Sequence, residues 1–163
     1  MDNKVVVTLA RAFVQSGWLS IRFNFRGIGR SAGTWDEGRG EVQDALAVAA
    51  ALCDPARPLA LAGFSFGGHV ASHAATSLGP QRLVLVGPAT ASFDVAPVPP
   101  HTLVVHAEAD EVVPLKATLD WARPQSLPIV VVPGGSHFFH GQLPLLKSIV
   151  LQYLAAPPSA PVS

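Results

Sequence analysis

Six histidines, one cysteine and the segment Gly63-Phe64-Ser65-Phe66-Gly67 are the residues in this chain whose types and spacing could do covalent chemistry. A serine hydroxyl is a weak nucleophile near neutral pH. It needs a base that titrates close to working pH, which is the natural role of histidine. The G-x-S-x-G pattern supplies the geometry: glycines allow a sharp strand-to-helix turn that strains the serine backbone, and a side chain at either flank would crowd the neighbouring chain. The turn aims the N-terminus of the following helix at the reaction centre. The backbone N–H of Phe66 is then the expected oxyanion donor.

Among the histidines, His137 follows an apolar strand-like run through Pro133-Gly134-Gly135-Ser136, on a loop beyond the strand's carboxyl end, where parallel sheets build their sites. His140, three residues on, is its rival. His69 and His73 lie one helical turn apart after Ser65 and point away from it, His106 is inside a strand, and His101 sits among prolines. A base also needs an acceptor that fixes its tautomer. Asp110 lies just past another strand, but Glu108 and Glu111 stand beside it, and spacing separates the three only weakly.

These residues require elements to hold them. Val6, Leu9, Ala10 and Phe13 recur at helical spacing over 4–15, with Gly17 as a stop. Residues 20–25 alternate Ile21, Phe23 and Phe25 with polar residues, the pattern of a strand. Helices are predicted over 37–52, 66–77, 115–122 and 142–154, and strands over 58–62, 82–86, 102–106 and 128–132. The segment 87–101 carries four prolines and is predicted to be an irregular crossover. Strands alternating with helices argue an α/β fold: a mostly parallel sheet of about five strands covered by helices on both faces. One domain over 1–155 is expected, with a Pro- and Ser-rich tail over 156–163.

Composition agrees. The chain is 49% hydrophobic and only 13% charged, against a usual charged share of about 25%, as a sheet buried on both faces requires. Eleven basic residues balance eleven acidic ones, which disfavours nucleic acid and anionic membranes as partners. With no signal-like N-terminus and no long apolar run, a cytoplasmic location is expected. The lone Cys53, at the end of an Ala-rich stretch, reads as a small buried residue rather than a catalytic thiol.

The order Ser65, Asp110, His137, each after a different strand, matches that of α/β-hydrolases. The stretches His106 to Pro114 and Pro133 to Leu143 resemble the acid and histidine loops of compact members of that superfamily. Phe23-Asn24-Phe25-Arg26-Gly27-Ile28-Gly29-Arg30-Ser31 resembles the loop after one of their early strands. The similarity runs from about residue 2 to 152. It implies Ser65 as nucleophile, Asp110 rather than Glu108 or Glu111 as acid, and His137 as base. The implied activity is a lidless, cofactor-free serine esterase for short acyl esters.

Such enzymes also place strands before the first helix and draw a second oxyanion donor from a loop there. By analogy, strand 20–25 is expected either to pair directly with strand 58–62 or to leave an edge for a second copy of the chain to cover. Losing one donor typically costs about 100- to 1000-fold in turnover, so weak activity is expected unless the loop around Arg26-Gly27-Ile28-Gly29 substitutes.

Three other readings compete. Gly27, Gly29 and Gly33 suggest a dinucleotide loop, but no helix opens within it, and Asp36 and Glu37 would repel phosphate. A hydrolase-like scaffold without turnover is the second. A metal site at His137 and His140 is the third, although no spacing enforces convergence of ligands. Phe64, Phe66, Phe138 and Phe139 are candidates to line an acyl pocket, with core packing as their alternative role, and Phe64 and Phe138 are the expected substrate-binding pair.

Overall fold

The computed structural model describes residues 3–157, so most of the expected tail lies outside the described residues. Four strands form one sheet: β1 (Ala60–Phe64), β2 (Arg82–Val86), β3 (Leu103–Ala107) and β4 (Ile129–Val132). They lie in the order β1-β2-β3-β4, every pair parallel. Five helices connect and flank them: α1 (Lys4–Gln15), α2 (Arg39–Leu52), α3 (Phe66–Leu78), α4 (Leu115–Ala122) and α5 (Leu143–Ala155). None of them is long and apolar enough to cross a membrane.

The period-two alternation of the strands divides the core. Val84, Val86, Val105, Ala107 and Val132 point to one face and pack with Val5, Leu9, Ala12 and Phe13 of α1 and Leu146 and Val150 of α5. Leu83, Leu85 and Val104 point to the other, against Ala71 and Ala75 of α3 and Ala122 of α4. The buried stripe of α1 is Val5, Leu9, Ala12 and Phe13: the expected Leu9 and Phe13 anchor it, Val5 and Ala12 take the buried places expected of Val6 and Ala10, and Val6 is partly buried against the same core. Asn3 starts that helix, its side chain accepting from Val5 N and Val6 N at 2.9 and 3.2 Å.

Residues 20–25 are not a strand. Their alternation is real, but they join no ladder, and Ile21 and Phe23 remain 38% and 36% exposed. The direct pairing expected with the strand after them is absent from the sheet of the described residues. Strand β1 also begins two residues later than expected. Pro58 has no N–H to offer a ladder, whereas Gly63 and Phe64 pair with Leu85 and Val86 and carry the strand right up to Ser65. Segment 87–101 is irregular, as its prolines predict. Cys53 is half-buried rather than buried, just past the end of α2.

Candidate active site

The carboxyl ends of β1, β3 and β4 bring the candidate residues to one rim. Ser65 occupies the turn between β1 and α3 with φ 53° and ψ −118°, a region that costs a non-glycine residue about 1–3 kcal/mol. Several bonds hold it there. Ser65 N donates to Val86 O at 2.9 Å, and Ser65 O accepts from Gly68 N at 2.9 Å and Ala89 N at 3.2 Å. Gly63 is required by space, since a Cβ there would lie 2.1 Å from Gly67 O. The expectation that both flanking glycines relieve crowding holds only for the first. A Cβ on Gly67 would meet nothing within 4 Å, whereas one on Gly68 would lie 3.1 Å from Pro88 Cα. Phe66 is the first residue of α3, so its N–H has no acceptor within the helix.

The second half of the site is a buried carboxylate–imidazole pair. Asp110 Oδ2 lies 2.7 Å from His137 Nδ1, with the two residues 8% and 2% exposed. An ionised carboxylate only accepts, so Nδ1 carries the proton and Nε2 is left as the basic nitrogen. Asp110 Oδ1 accepts from Val112 N at 2.9 Å and Val113 N at 2.7 Å, which fixes the carboxylate plane.

The neighbouring carboxylates that spacing separated only weakly from Asp110 do different work. Glu108 Oε2 accepts from Gly134 N at 2.8 Å, and Glu111 Oε2 accepts from His137 N at 3.1 Å. Together they clip the histidine loop onto the acid loop. The His137 amide holds the Glu111 carboxyl below its ordinary range. Ala109 N–Gly135 O at 2.9 Å and Glu108 N–Val132 O at 3.0 Å complete the seam, and Phe139, fully buried, plugs the loop into the core.

These two halves meet through β2. Gly87 follows Val86, the acceptor of the Ser65 amide, and a Cβ on it would lie 3.4 Å from Asp110 Oδ2 and 3.5 Å from His137 Cε1. The Phe64 ring, one residue before Ser65, lies 4.7 Å from the His137 ring. Among the described residues no hydrogen bond joins the Ser65 hydroxyl to His137. Bonds of this kind are often long in ligand-free sites and tighten around substrate. His140 is exposed and meets the Phe138 ring rather than a carboxylate. Among the described residues no group of three His, Cys, Asp or Glu side chains is arranged to hold a metal.

Of the expected substrate-binding aromatics, Phe64 is 8% exposed and backs the imidazole, whereas Phe138 is 42% exposed and stands edge-on to it at 5.0 Å. Phe66, another candidate from sequence, adjoins Ser65 in an aromatic cluster whose other members were not foreseen. The Phe66 ring lies 5.6 Å from Phe25 and 5.0 Å from Phe93. His69 and His73 belong behind this cluster, both bonded to Asp94 O at 3.1 and 2.7 Å.

In the loop around Arg26, three amides have acceptors: Arg26 N on Asp44 Oδ2 at 3.0 Å, Gly27 N on Ala32 O at 3.2 Å, and Ile28 N on Phe25 O at 3.1 Å. The Arg26 guanidinium also grips Asp44, at 2.7 and 3.1 Å. Gly27, Gly29 and Gly33 all have positive φ, so they serve the turns of this loop. The next helix opens only at Arg39, where buried Glu41 accepts from Gly38 N and Asp36 N, both at 2.9 Å.

Residues 3–101 match the sequence model of a family described as serine aminopeptidase, S33. The chain belongs to the α/β-hydrolase superfamily. Solved relatives extend the likeness to nearly all of its length. An α/β serine hydrolase without a lid from Xanthomonas campestris is 39% identical with a TM-score of 0.90, covering 97% of this chain and 77% of its own. A serine hydrolase homologue from Coxiella burnetii is 36% identical with a TM-score of 0.80, covering 95% and 78%. A protein of Rickettsia prowazekii, strain Madrid E, is 42% identical over 74 residues, and that match spans 44% of this chain and 31% of the relative.

Proposed function

We propose that this α/β-hydrolase cleaves carboxylic esters with short acyl groups through an acyl-enzyme on Ser65. The observation that carries this reading is the buried 2.7 Å contact between Asp110 and His137, on the rim that holds the strained Ser65. In the proposed cycle Ser65 Oγ attacks the ester carbonyl and its proton passes to His137 Nε2, while Nδ1–H stays on Asp110 and stabilises the imidazolium. The Phe66 N–H takes the oxyanion. The imidazolium then protonates the leaving alcohol, and water, deprotonated by the same nitrogen, hydrolyses the acyl-enzyme. A short acyl group suits a site flanked by the exposed Phe138 ring and the half-buried Phe66.

The test is hydrolysis of p-nitrophenyl acetate by the wild type and by Ser65→Ala, His137→Ala and Asp110→Asn variants. Turnover is expected to fall by about 10³-fold or more in the first two and by up to about 10⁴-fold in the third. Activity that survives in Ser65→Ala rules out this nucleophile. The family description favours a second reading, aminopeptidase activity, and release of p-nitroaniline from aminoacyl p-nitroanilides distinguishes it.

A further inference from the structure

His106 has no part in the cycle above, yet it is fully buried beside it. It sits on β3, and its Nε2 lies 2.9 Å from Val113 O. A carbonyl only accepts, so Nε2 carries the proton. Val113 is the residue whose N–H donates to Asp110 Oδ1 at 2.7 Å. The peptide units on both sides of Val113 are therefore held, one by the acid and the other by His106. The same Nε2 lies 3.6 Å from Asp110 Oδ2, too far for a hydrogen bond, but with its N–H dipole near the oxygen that His137 uses.

The ring's other nitrogen, Nδ1, is buried with no partner among the described residues. A leucine would fill this space without leaving a polar atom idle. Burial pushes the His106 imidazole below its ordinary range and His137 adds to this, while the Val113 bond and Asp110 pull the other way. The charged or titratable groups around it are thus Asp110 and His137, with Glu111 and Glu108 beyond them on the amides of His137 and Gly134.

The geometry points to His106 as a positioning residue for the site's acid: by holding the Val113 carbonyl it locks the turn that orients Asp110 and presents Oδ2 to His137. This rests on the proposed Ser65–His137–Asp110 assignment but can be read without turnover. The readouts are the low-field proton resonance of the His137 Nδ1–H, the imidazole nitrogen shifts of His106, and ester hydrolysis.

His106→Gln places an amide nitrogen near the position of Nε2 and keeps the donor, whereas His106→Leu removes it. The resonance is expected in the wild type and His106→Gln, and lost or broadened in His106→Leu. In His106→Leu, kcat should fall about tenfold, the worth of roughly one hydrogen bond, with KM within about twofold and the acid limb of the pH profile displaced. His106→Gln should restore all three. An unchanged resonance and pH profile in His106→Leu overturns the proposal. If His106→Leu does not fold, the nitrogen shifts of the wild type decide: an Nε2–H tautomer together with normal His106→Gln supports the role, and an Nδ1–H tautomer or a cation overturns it. Absence of hydrolysis by the wild type would instead strike the esterase reading and leave the resonance test intact.

Discussion

Residues 82–86 and 20–25 are both short, apolar and bounded by turns, yet only one of them is a strand. Arg82–Val86 is buried at every position between two parallel neighbours. Ile21, Phe23 and Phe25 alternate cleanly with polar residues and pair with nothing in the described sheet. Alternation records a surface with one apolar side; it does not supply the partner whose hydrogen bonds make that surface a strand. The site follows the same division. Ser65, Asp110 and His137 all follow strands that pair within the sheet, β1, β3 and β4, whereas the segment 20–25 reaches the site through the contact of Phe25 with Phe66.

The contrast can be broken most severely at Gly63. Gly63→Ala drives a methyl group into the Gly67 backbone, and loss of folding, or a destabilisation of about 4 kcal/mol or more in urea unfolding, is expected. Leu85→Ala, in the fully buried strand, should cost about 2–5 kcal/mol by the same measurement.

Acid gives an intermediate effect. Burial holds His69 and His106 below the ordinary imidazole range, with His73 adding to the effect on His69. Between the unfolded value of about 6.5 and the lower folded values, the unfolded chain binds more protons, so stability falls as pH drops through that window. Urea midpoints at successive pH values should decline there, and decline less in His106→Gln. The smallest change belongs to 20–25, which joins no strand of the described sheet. Phe23→Thr trims a ring that is 36% exposed and packs on Phe25, so it should cost about 1 kcal/mol, and a loss equal to that of Leu85→Ala would mean that this segment is packed as firmly as β2.

The helices, the four paired strands and the irregular crossover were legible because hydrophobic period and proline placement are local properties. Ser65 was legible because G-x-S-x-G fell between a strand and a helix, and His137 because it followed a strand's carboxyl end. The roles of Glu108 and Glu111 were not legible, since each is defined by a backbone amide 26 positions away. His106 was set aside as a strand residue, and only the turn that returns Val113 to it reveals a use for its ring. On α1, Leu9 and Phe13 were legible, but the choice among Val5, Val6 and Val7 was not, because the three are interchangeable in hydrophobicity and only α5 and the sheet select among them.

The central claim is that Ser65 is a nucleophile made reactive by His137. Labelling by a fluorophosphonate probe, with the modified residue located by mass spectrometry, tests it most directly. The account predicts a phosphonyl adduct on Ser65 in the wild type, none in Ser65→Ala, and labelling slowed by orders of magnitude in folded His137→Ala. A wild-type protein that stays unlabelled, or an adduct that forms equally fast without the His137 imidazole, would contradict it.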